Sequence, residues 1–190
     1  MKRCDWCVGS ELMMEYHDTE WGVPLFNDQK HFEFLMLESA QAGLSWITIL
    51  KKRENYRKAY DNFNLEKVSR YTEAKKAKLL NDAGIVRNRL KIESSITNAK
   101  EFIKIQKEFG SFSNYIWGFV NKKPVKGNWK TISEVPSRTE LSDKISKDLK
   151  KRGFKFCGSV IIYSYLQAAG IVNDHLTTCF RHKEVTTAAK

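Results

Sequence analysis

The sequence has few of the features that mark secreted, membrane-spanning or all-β proteins. No apolar run is long enough to cross a bilayer, and the first residues lack the apolar stretch of a secretory signal peptide. Prolines number only 3, internal repeats are missing, and no segment alternates like a β-strand. We therefore expect an all-α globular protein that is located in the cytoplasm, has no membrane partner and acts as a monomer.

Acidic residues are scarce relative to basic ones. Lys and Arg total 33 against 22 Asp and Glu, which gives a net charge of +11. Such an excess favours a polyanionic partner such as nucleic acid, although a basic surface also promotes solubility. Two clusters of basic residues are predicted to contact phosphate. They are Lys51, Lys52, Arg53, Arg57 and Lys58 on one predicted helix, and Lys144, Lys147, Lys150, Lys151, Arg152 and Lys155 beside a glycine-containing turn.

Apolar residues recur at helical spacing along most of the chain, and glycines and capping residues divide it into helices. The predicted helices cover residues 28–43, 45–60, 73–83, 88–109, 112–120, 141–149 and 160–168, the first capped by Asp28. Pro, Gly and Lys interrupt all periodicity over residues 121–137, which predicts the principal loop. We expect one helical unit over residues 1–182, with two lobes as an option, and a flexible tail over residues 183–190.

Residues 149–159 join two predicted amphipathic helices through a basic hairpin that contains Gly153 and Gly158. Such a turn can present backbone N–H groups to a phosphate at the start of the second helix. The same pattern also fits an ordinary turn between two helices with a glycine C-cap. The hairpin alone therefore does not decide between these two interpretations.

Several separated blocks resemble the 3-methyladenine DNA glycosylase I family, a branch of the helix-hairpin-helix DNA glycosylases. They are residues 16–18, 20–24, 37–38, 41–48, 51–54 and 151–156. The resemblance implies an all-α helix-hairpin-helix glycosylase fold that acts on alkylated double-stranded DNA. It implies hydrolysis of the N-glycosidic bond of 3-methyladenine without lyase activity, which releases the free base and leaves an abasic site. The resemblance thins over residues 122–139 and after residue 180, so we expect little of the activity to depend on those segments.

Two cysteines and two histidines form a candidate metal site. Cys4, His17, His175 and Cys179 offer the ligand set of a closed tetrahedral zinc site, although buried cysteines and surface histidines are the alternative and Cys4 with Cys7 a competing pair. The resemblance implies that these four residues match the zinc-binding residues of the family, with no ligand at Cys7. We expect one structural zinc ion per chain that clamps the N-terminal and C-terminal segments together, and a buried, unliganded Cys157.

The resemblance also implies the residues of the active site. Tyr16, Trp46 and the acid Glu38 correspond to the family's base-contacting residues, and Trp6 and Trp21 offer further aromatic surface for an extruded base. Core packing is the alternative for each tryptophan, and it is the one we expect for Trp117 and Trp129. The predicted DNA contacts are Gln41, Gly43 and Leu44 in a turn that probes the duplex, and Lys151, Lys155 and Gly158 in the hairpin.

Many helix-hairpin-helix glycosylases carry an aspartate after the second hairpin helix, and the comparable residue here is Asn173. Asp174 is adjacent but out of register, so the sequence is similar to members that lack this acid. A cationic leaving base lowers the catalytic demand. Two other classes of function fit the charge and the aromatic residues, namely a DNA-binding module without catalysis and an RNA-binding protein.

Overall fold

The computed structural model describes residues 1–187, with side chains to residue 185, and helices form most of this part of the chain. Its α-helices are α1 Glu11–Thr19, α2 Asp28–Gln41, α3 Trp46–Ala59, α4 Leu65–Ser69, α5 Glu73–Asn81, α6 Arg89–Phe109, α7 Phe112–Gly118, α8 Glu140–Lys151, α9 Ser159–Ala168 and α10 Arg181–Thr187. Three-residue 3₁₀ turns lie at Asp5–Cys7, Asp61–Phe63 and Ile132–Glu134. Among these residues, no helix is long and apolar enough to cross a membrane.

Helix α2 is the centre of the fold. Every residue from His31 to Ala40 is buried, which confirms the prediction from its lack of a polar face. It packs against α3, α6, α7 and α9. Because these neighbours surround the helix, the polar residues at its buried positions are removed from solvent.

The start of α2 differs from the prediction by one residue. The side chain of Asn27, not Asp28, accepts a hydrogen bond from the backbone N–H of Lys30 and caps the helix. The Asp28 carboxylate accepts instead from the backbone N–H groups of Phe112 and Ser113, both at 2.9 Å. Asp28 therefore supplies the acceptor for the first amides of a helix far along the chain.

The prediction that the chain has no strands is wrong in one place. Val125–Lys126 (β1) and Val172–Asn173 (β2) form a short parallel pair in which Val125 lies opposite Val172. Two-residue strands are too short to show an alternating pattern in the sequence. The pair attaches the loop of residues 121–137 to the segment that precedes His175.

The segment predicted as a flexible tail is partly helical in the structure. Helix α10 continues to Thr187, and Val185 is buried, so the segment that begins at Lys183 is helical as far as residue 187. Residues 188–190 of the predicted tail lie outside the described residues.

Candidate active site and metal cluster

A cavity of about 440 Å³ opens between α1, α2, the start of α3 and one face of α9. Its lining residues are Trp6, Met13, Tyr16, Trp21, Glu38, Gln41, Trp46, Ile132, Val135, Pro136, Ser137, Val160, Tyr163, Ser164, Gln167 and Asp174. The four α9 residues recur at positions i, i+3, i+4 and i+7, so they share one helix face. All four aromatic residues that the sequence predicted to bind a base line this single cavity.

The aromatic residues form a continuous wall. The ring centroids of Trp6 and Trp21 are 5.1 Å apart, and those of Tyr16 and Trp46 are 5.3 Å apart. Tyr16 also packs edge-on against Trp6 at 6.4 Å, which joins the two pairs. Such a wall presents several π surfaces to a planar ligand, and π surfaces attract cations.

Two polar atoms in this wall have no protein partner. The hydroxyl of Tyr16 and the indole N–H of Trp46 are buried without a hydrogen-bond acceptor or donor among the described residues. Burial, and then the charge of Glu38, raises the pKa of the Tyr16 phenol well above its usual value, so this hydroxyl stays neutral. A buried polar group without a partner costs free energy, so a ligand that pairs with these two atoms removes that cost.

Glu38 lies on the last turn of α2 and is only 5% exposed. Burial raises the pKa of its carboxyl group to about 8. Ionisation is unfavourable here because the low-dielectric surroundings penalise the charge, and a cation in the cavity would remove that penalty. The carboxyl group therefore favours a cationic ligand over a neutral one.

The turn after α2 is open to solvent on one side. Gly43 has a φ of +80°, and no atom lies within 4 Å of the position that a Cβ would occupy. This backbone conformation favours glycine. The Leu44 side chain is 41% exposed, while Gln41 lines the cavity. An apolar side chain thus projects from a turn directly beside the cavity.

The hairpin between α8 and α9 presents the other predicted DNA contacts. Lys151 and Lys155 are exposed, and Gly158 is the N-cap residue of α9. No atom lies within 4 Å of a Cβ built on Gly158. The first backbone N–H groups of a helix have no partner within that helix, so an accessible N-terminus of this kind can accept an anion.

Cys4, His17, His175 and Cys179 are buried and bring one ligand atom each to within 4.8 Å of one another. Cys179 Sγ lies 3.4 Å from His17 Nε2 and 3.6 Å from His175 Nδ1, and Cys4 Sγ lies 3.8 Å from His175 Nδ1. Tetrahedral zinc bonds of about 2.0–2.3 Å place ligand atoms about 3.3–3.8 Å apart. These three distances fit a tetrahedral metal ion of this size, and every other pair of ligand atoms lies within 4.8 Å.

Hydrogen bonds determine which ring nitrogen of His17 and of His175 carries no proton. His17 Nδ1 donates to the Asp18 carboxylate at 2.8 Å, and His175 Nε2 donates to the Trp21 carbonyl at 2.9 Å. The two remaining ring nitrogens therefore carry lone pairs and face each other at 3.2 Å. Two acceptors at this distance repel, and a cation between them removes the repulsion. Burial lowers the pKa of His175, which favours its neutral, ligating form.

Comparisons with known proteins agree with this geometry. A family model described as methyladenine glycosylase matches residues 6–182. DNA-3-methyladenine glycosylase 1 of Escherichia coli (strain K12) is 48% identical over 179 residues, which cover 94% of this chain and 96% of that protein. The chain belongs to the methyladenine glycosylase family. It is therefore an enzyme of the DNA glycosylase class.

Solved structures of methyladenine glycosylases have the same fold. A crystal structure of 3-methyladenine DNA glycosylase I matches with a TM-score of 0.92 at 45% identity, over 95% of this chain and 100% of that one. A structure of a tyrosine-to-phenylalanine variant of 3-methyladenine DNA glycosylase I in complex with 3-methyladenine matches with a TM-score of 0.92 at 38% identity, over 96% and 98% of the two chains.

The cavity lining includes a segment that was expected to contribute little to the activity, residues 122–139. Ile132, Val135, Pro136 and Ser137 of this segment line the cavity. The loop reaches this position because β1 pairs with β2 and because the Thr177 N–H donates to the Trp129 carbonyl at 2.8 Å. Both contacts join residues far apart in the sequence, and a local pattern does not reveal them.

Asp174 is a second cavity residue whose importance the sequence did not indicate. Its buried carboxylate accepts hydrogen bonds from the Trp129 indole at 2.7 Å, from the Gln167 amide at 2.8 Å and from the Tyr163 hydroxyl. Trp129 is thus half-buried and hydrogen-bonded to a cavity residue, not packed in the main core as expected. Trp117 is buried as predicted and donates to the Leu25 carbonyl.

The two predicted basic clusters of this methyladenine glycosylase are smaller than expected. Arg53 is buried and pairs with Glu20 and Glu33, and Arg57 pairs with Glu33 and Glu54. In the second cluster, Arg152 pairs with Glu108 and Asp148. These arginines have carboxylate partners within the protein, so a phosphate would compete with those partners. The sequence did not indicate the pairs because most of the partners lie on other elements.

Proposed function

We propose that the protein hydrolyses the N-glycosidic bond of 3-methyladenine in alkylated double-stranded DNA, releasing the free base and leaving an abasic site. One observation carries the proposal. The Tyr16 hydroxyl and the Trp46 N–H, both buried and unpaired, lie in the same aromatic cavity as the Glu38 carboxyl group. A purine edge offers both donors and acceptors, so it can pair with all three groups at once.

Charge supports the choice of a methylated base over ordinary adenine. Methylation at N3 makes the base cationic while it is attached to the sugar. A cation between aromatic faces and a carboxyl group gains from the π electrons and makes ionisation of Glu38 favourable. Neutral adenine lacks the positive charge and therefore these gains, and its binding would leave Glu38 protonated. Tyr16, Trp46, Trp6 and Trp21 are the proposed base-binding residues.

The proposed reaction needs little help from a strong nucleophile. When the glycosidic bond breaks, its electron pair moves to the base and neutralises the positive charge, which leaves an oxocarbenium-like sugar for water to attack. A lyase pathway requires an amine that forms a covalent intermediate with the sugar. No lysine is among the described residues that line the cavity, which supports a monofunctional enzyme. Glu38 is the proposed acid in contact with the base.

Access to the base requires that the nucleotide rotate out of the duplex, since its glycosidic bond is hidden in the stack. The exposed Leu44 is suited to fill the gap that the base leaves, with Gln41 and Gly43 completing the probing turn. In the proposed helix-hairpin-helix arrangement of α8 and α9, Lys151, Lys155 and Gly158 hold a phosphate of the backbone. Phosphate contacts of this kind carry no sequence information.

Zinc is the proposed occupant of the cluster formed by Cys4, His17, His175 and Cys179. Two thiolates and two imidazoles provide four protein ligands, so no position remains open for a catalytic water. When bound, the ion supplies structural cross-linking only. It would hold the first turn of the chain, including Trp6 in the cavity wall, against the segment that leads to α10.

The proposal is tested with purified protein and methylated duplex DNA. We expect release of 3-methyladenine, identified by chromatography, and strand breaks at the abasic sites only after alkaline treatment. Strand breaks without alkali would contradict the monofunctional mechanism. DNA binding without release of any base would contradict catalysis and favour a binding module.

A further inference from the structure

Helix α6 touches both proposed DNA-contacting segments through two side chains that the active site does not use. Lys91 Nζ donates to the backbone carbonyls of Ala40 and Ala42, at 2.8 and 2.7 Å. Asn98 pairs with both backbone groups of Lys155. It accepts from the Lys155 N–H at 2.8 Å and donates to the Lys155 carbonyl at 2.9 Å. The two residues are seven apart, so they lie on one face of α6 about 10 Å from each other along its axis.

The Lys91 ammonium group lies where α2 ends and the probing turn begins. The last carbonyls of a helix have no partner within it, and a cation at this end also interacts favourably with the helix dipole. The turn beyond is open at Gly43, where an added Cβ would meet no atom within 4 Å. Burial lowers the pKa of Lys91, because the ammonium group loses part of its hydration. The carbonyls of Ala40 and Ala42 replace the lost water as hydrogen-bond acceptors. Lys91 is thus a fixed support beneath an otherwise open turn.

Asn98 supports the hairpin in a comparable way. Its side chain is 2% exposed and forms a two-bond pair with the backbone of an exposed lysine. The next residue, Phe156, has a φ of +50°, which is unusual for a residue other than glycine. Its carbonyl accepts from Ser39 Oγ, on α2, at 3.0 Å. The unusual hairpin conformation is therefore held from below by α6 and α2.

We propose that Lys91 and Asn98 are positioning residues that set the probing turn and the phosphate-binding hairpin at a fixed spacing on damaged DNA. Lys91 holds Leu44 ready for insertion, and Asn98 holds the hairpin against the phosphate. This inference rests on the proposed function, because it assigns the two segments to DNA. It predicts that the two residues affect different steps, which a general effect on folding would not do.

Lys91→Met tests the first half, because Met is similar in length but does not donate. We expect affinity for free 3-methyladenine within about twofold of the parent protein and single-turnover excision about 10- to 100-fold slower, since small displacements at a reacting site have effects of this size. Insertion is followed with a duplex that carries a tetrahydrofuran abasic analogue opposite 2-aminopurine. The fluorescence change on binding should be lost in Lys91→Met and restored in Lys91→Arg. Lys100→Met, an exposed position on the same helix, is the matched control.

Asn98→Ala tests the second half and should give the opposite pattern. We expect duplex affinity to fall about tenfold, as for the loss of one to two buried hydrogen bonds, while excision at saturating enzyme stays within about threefold. Asn98→Asp keeps the acceptor for the Lys155 N–H and loses the donor to the Lys155 carbonyl. It replaces Asn98→Ala as the test variant if the alanine variant does not fold. The inference is overturned if Lys91→Met inserts and excises like the parent, if a folded Asn98 variant binds duplex like the parent, or if both variants weaken free-base binding alike. A parent protein that binds and inserts but releases no base would refute the proposed function and leave this inference standing.

Discussion

The metal cluster and the base cavity lie side by side, but they differ in whether their buried polar atoms have hydrogen-bond partners. In the cluster, both outward ring nitrogens have partners, and the remaining lone pairs converge on one point. In the cavity, the Tyr16 hydroxyl and the Trp46 N–H are left unpaired. The two regions share a wall, because Trp21 packs against His175 at a centroid distance of 4.6 Å. The difference agrees with the two proposals, a permanent metal ion in one region and a transient base in the other.

Removing a ligand of the cluster should have the largest effect. Cys179→Ser removes one thiolate from a buried group of four, so we expect loss of zinc and a melting temperature lower by about 6–12 °C, which corresponds to about 3 kcal/mol. Elemental analysis and calorimetry measure the two effects. Cys7→Ser is the matched control, and it should keep zinc because Cys7 Sγ faces the Cys4 carbonyl. Full retention of metal in Cys179→Ser would refute the cluster as a zinc site.

Glu38→Gln should change the cavity without changing the cluster. The variant keeps the size of the side chain and removes its ability to become an anion, so we expect excision of the cationic base about 30-fold slower, equivalent to about 2 kcal/mol, and a smaller loss of affinity for free 3-methyladenine, which is neutral. Zinc content and non-specific DNA binding should match the parent. Single-turnover kinetics on methylated DNA provide the measurement. Parent-like excision would make Glu38 a structural residue.

The stability of the free protein should depend on pH through Glu38. Because burial raises the folded-state pKa of this carboxyl group to about 8, the folded protein holds a proton that the unfolded chain releases near its ordinary value. The contribution of the protonated Glu38 carboxyl group to the free energy of unfolding is therefore fully present below the pKa of this group in the unfolded chain, and it is lost as the pH rises towards 8. Between pH 6 and pH 7 we expect the parent to lose about 1 kcal/mol relative to Glu38→Gln. Urea unfolding at both values tests this, and parallel curves would contradict it.

The smallest predicted effects are those of Tyr16→Phe, which should stabilise the free protein and weaken its binding of the base. Tyr16→Phe removes a buried hydroxyl without a partner, so we expect the free protein to gain about 0.5–1 kcal/mol of stability. The same change removes a partner of the bound base, and affinity for 3-methyladenine should fall about fivefold. Tyr56→Phe is the matched control, since that hydroxyl accepts from the Val86 N–H at 3.1 Å and its loss should only destabilise. Equal destabilisation by both variants would mean that Tyr16 has a partner in the free protein.

The sequence predicted best those features that depend on local pattern or on a family resemblance. The complete burial of α2 follows from its lack of a polar face, and the cysteine and histidine cluster follows from matched positions. The sequence was least informative about contacts in which a side chain of one element stabilises the backbone of another. Asp28, Lys91 and Asn98 each stabilise backbone groups that lie between 49 and 85 residues away. Such contacts depend on the tertiary arrangement, because neither partner has an unusual local sequence.

The cavity shows the same division between local and long-range information. Three residues of its aromatic wall, Tyr16, Trp21 and Trp46, lie within motif blocks, and the sequence analysis also named the fourth, Trp6, which lies outside them. Other lining residues, among them Val135, Pro136 and Asp174, come from a loop without periodicity and from a residue that was considered out of register. The pairing of β1 with β2 and the hydrogen bond from the Thr177 N–H to the Trp129 carbonyl place this loop at the cavity, and neither contact has a local signal in the sequence.

The position of the cluster along the chain has a consequence for folding. His17 and His175 are separated by 158 residues, so an ion held between them closes a loop that contains most of the protein. Closing so long a loop in an unfolded chain carries a large entropic cost, whereas in the folded chain the ends are already together. We therefore expect metal capture to be a late event in folding, after the helices have assembled. The bound ion would then stabilise the native state after folding is complete. It would slow unfolding and leave the rate of folding unchanged.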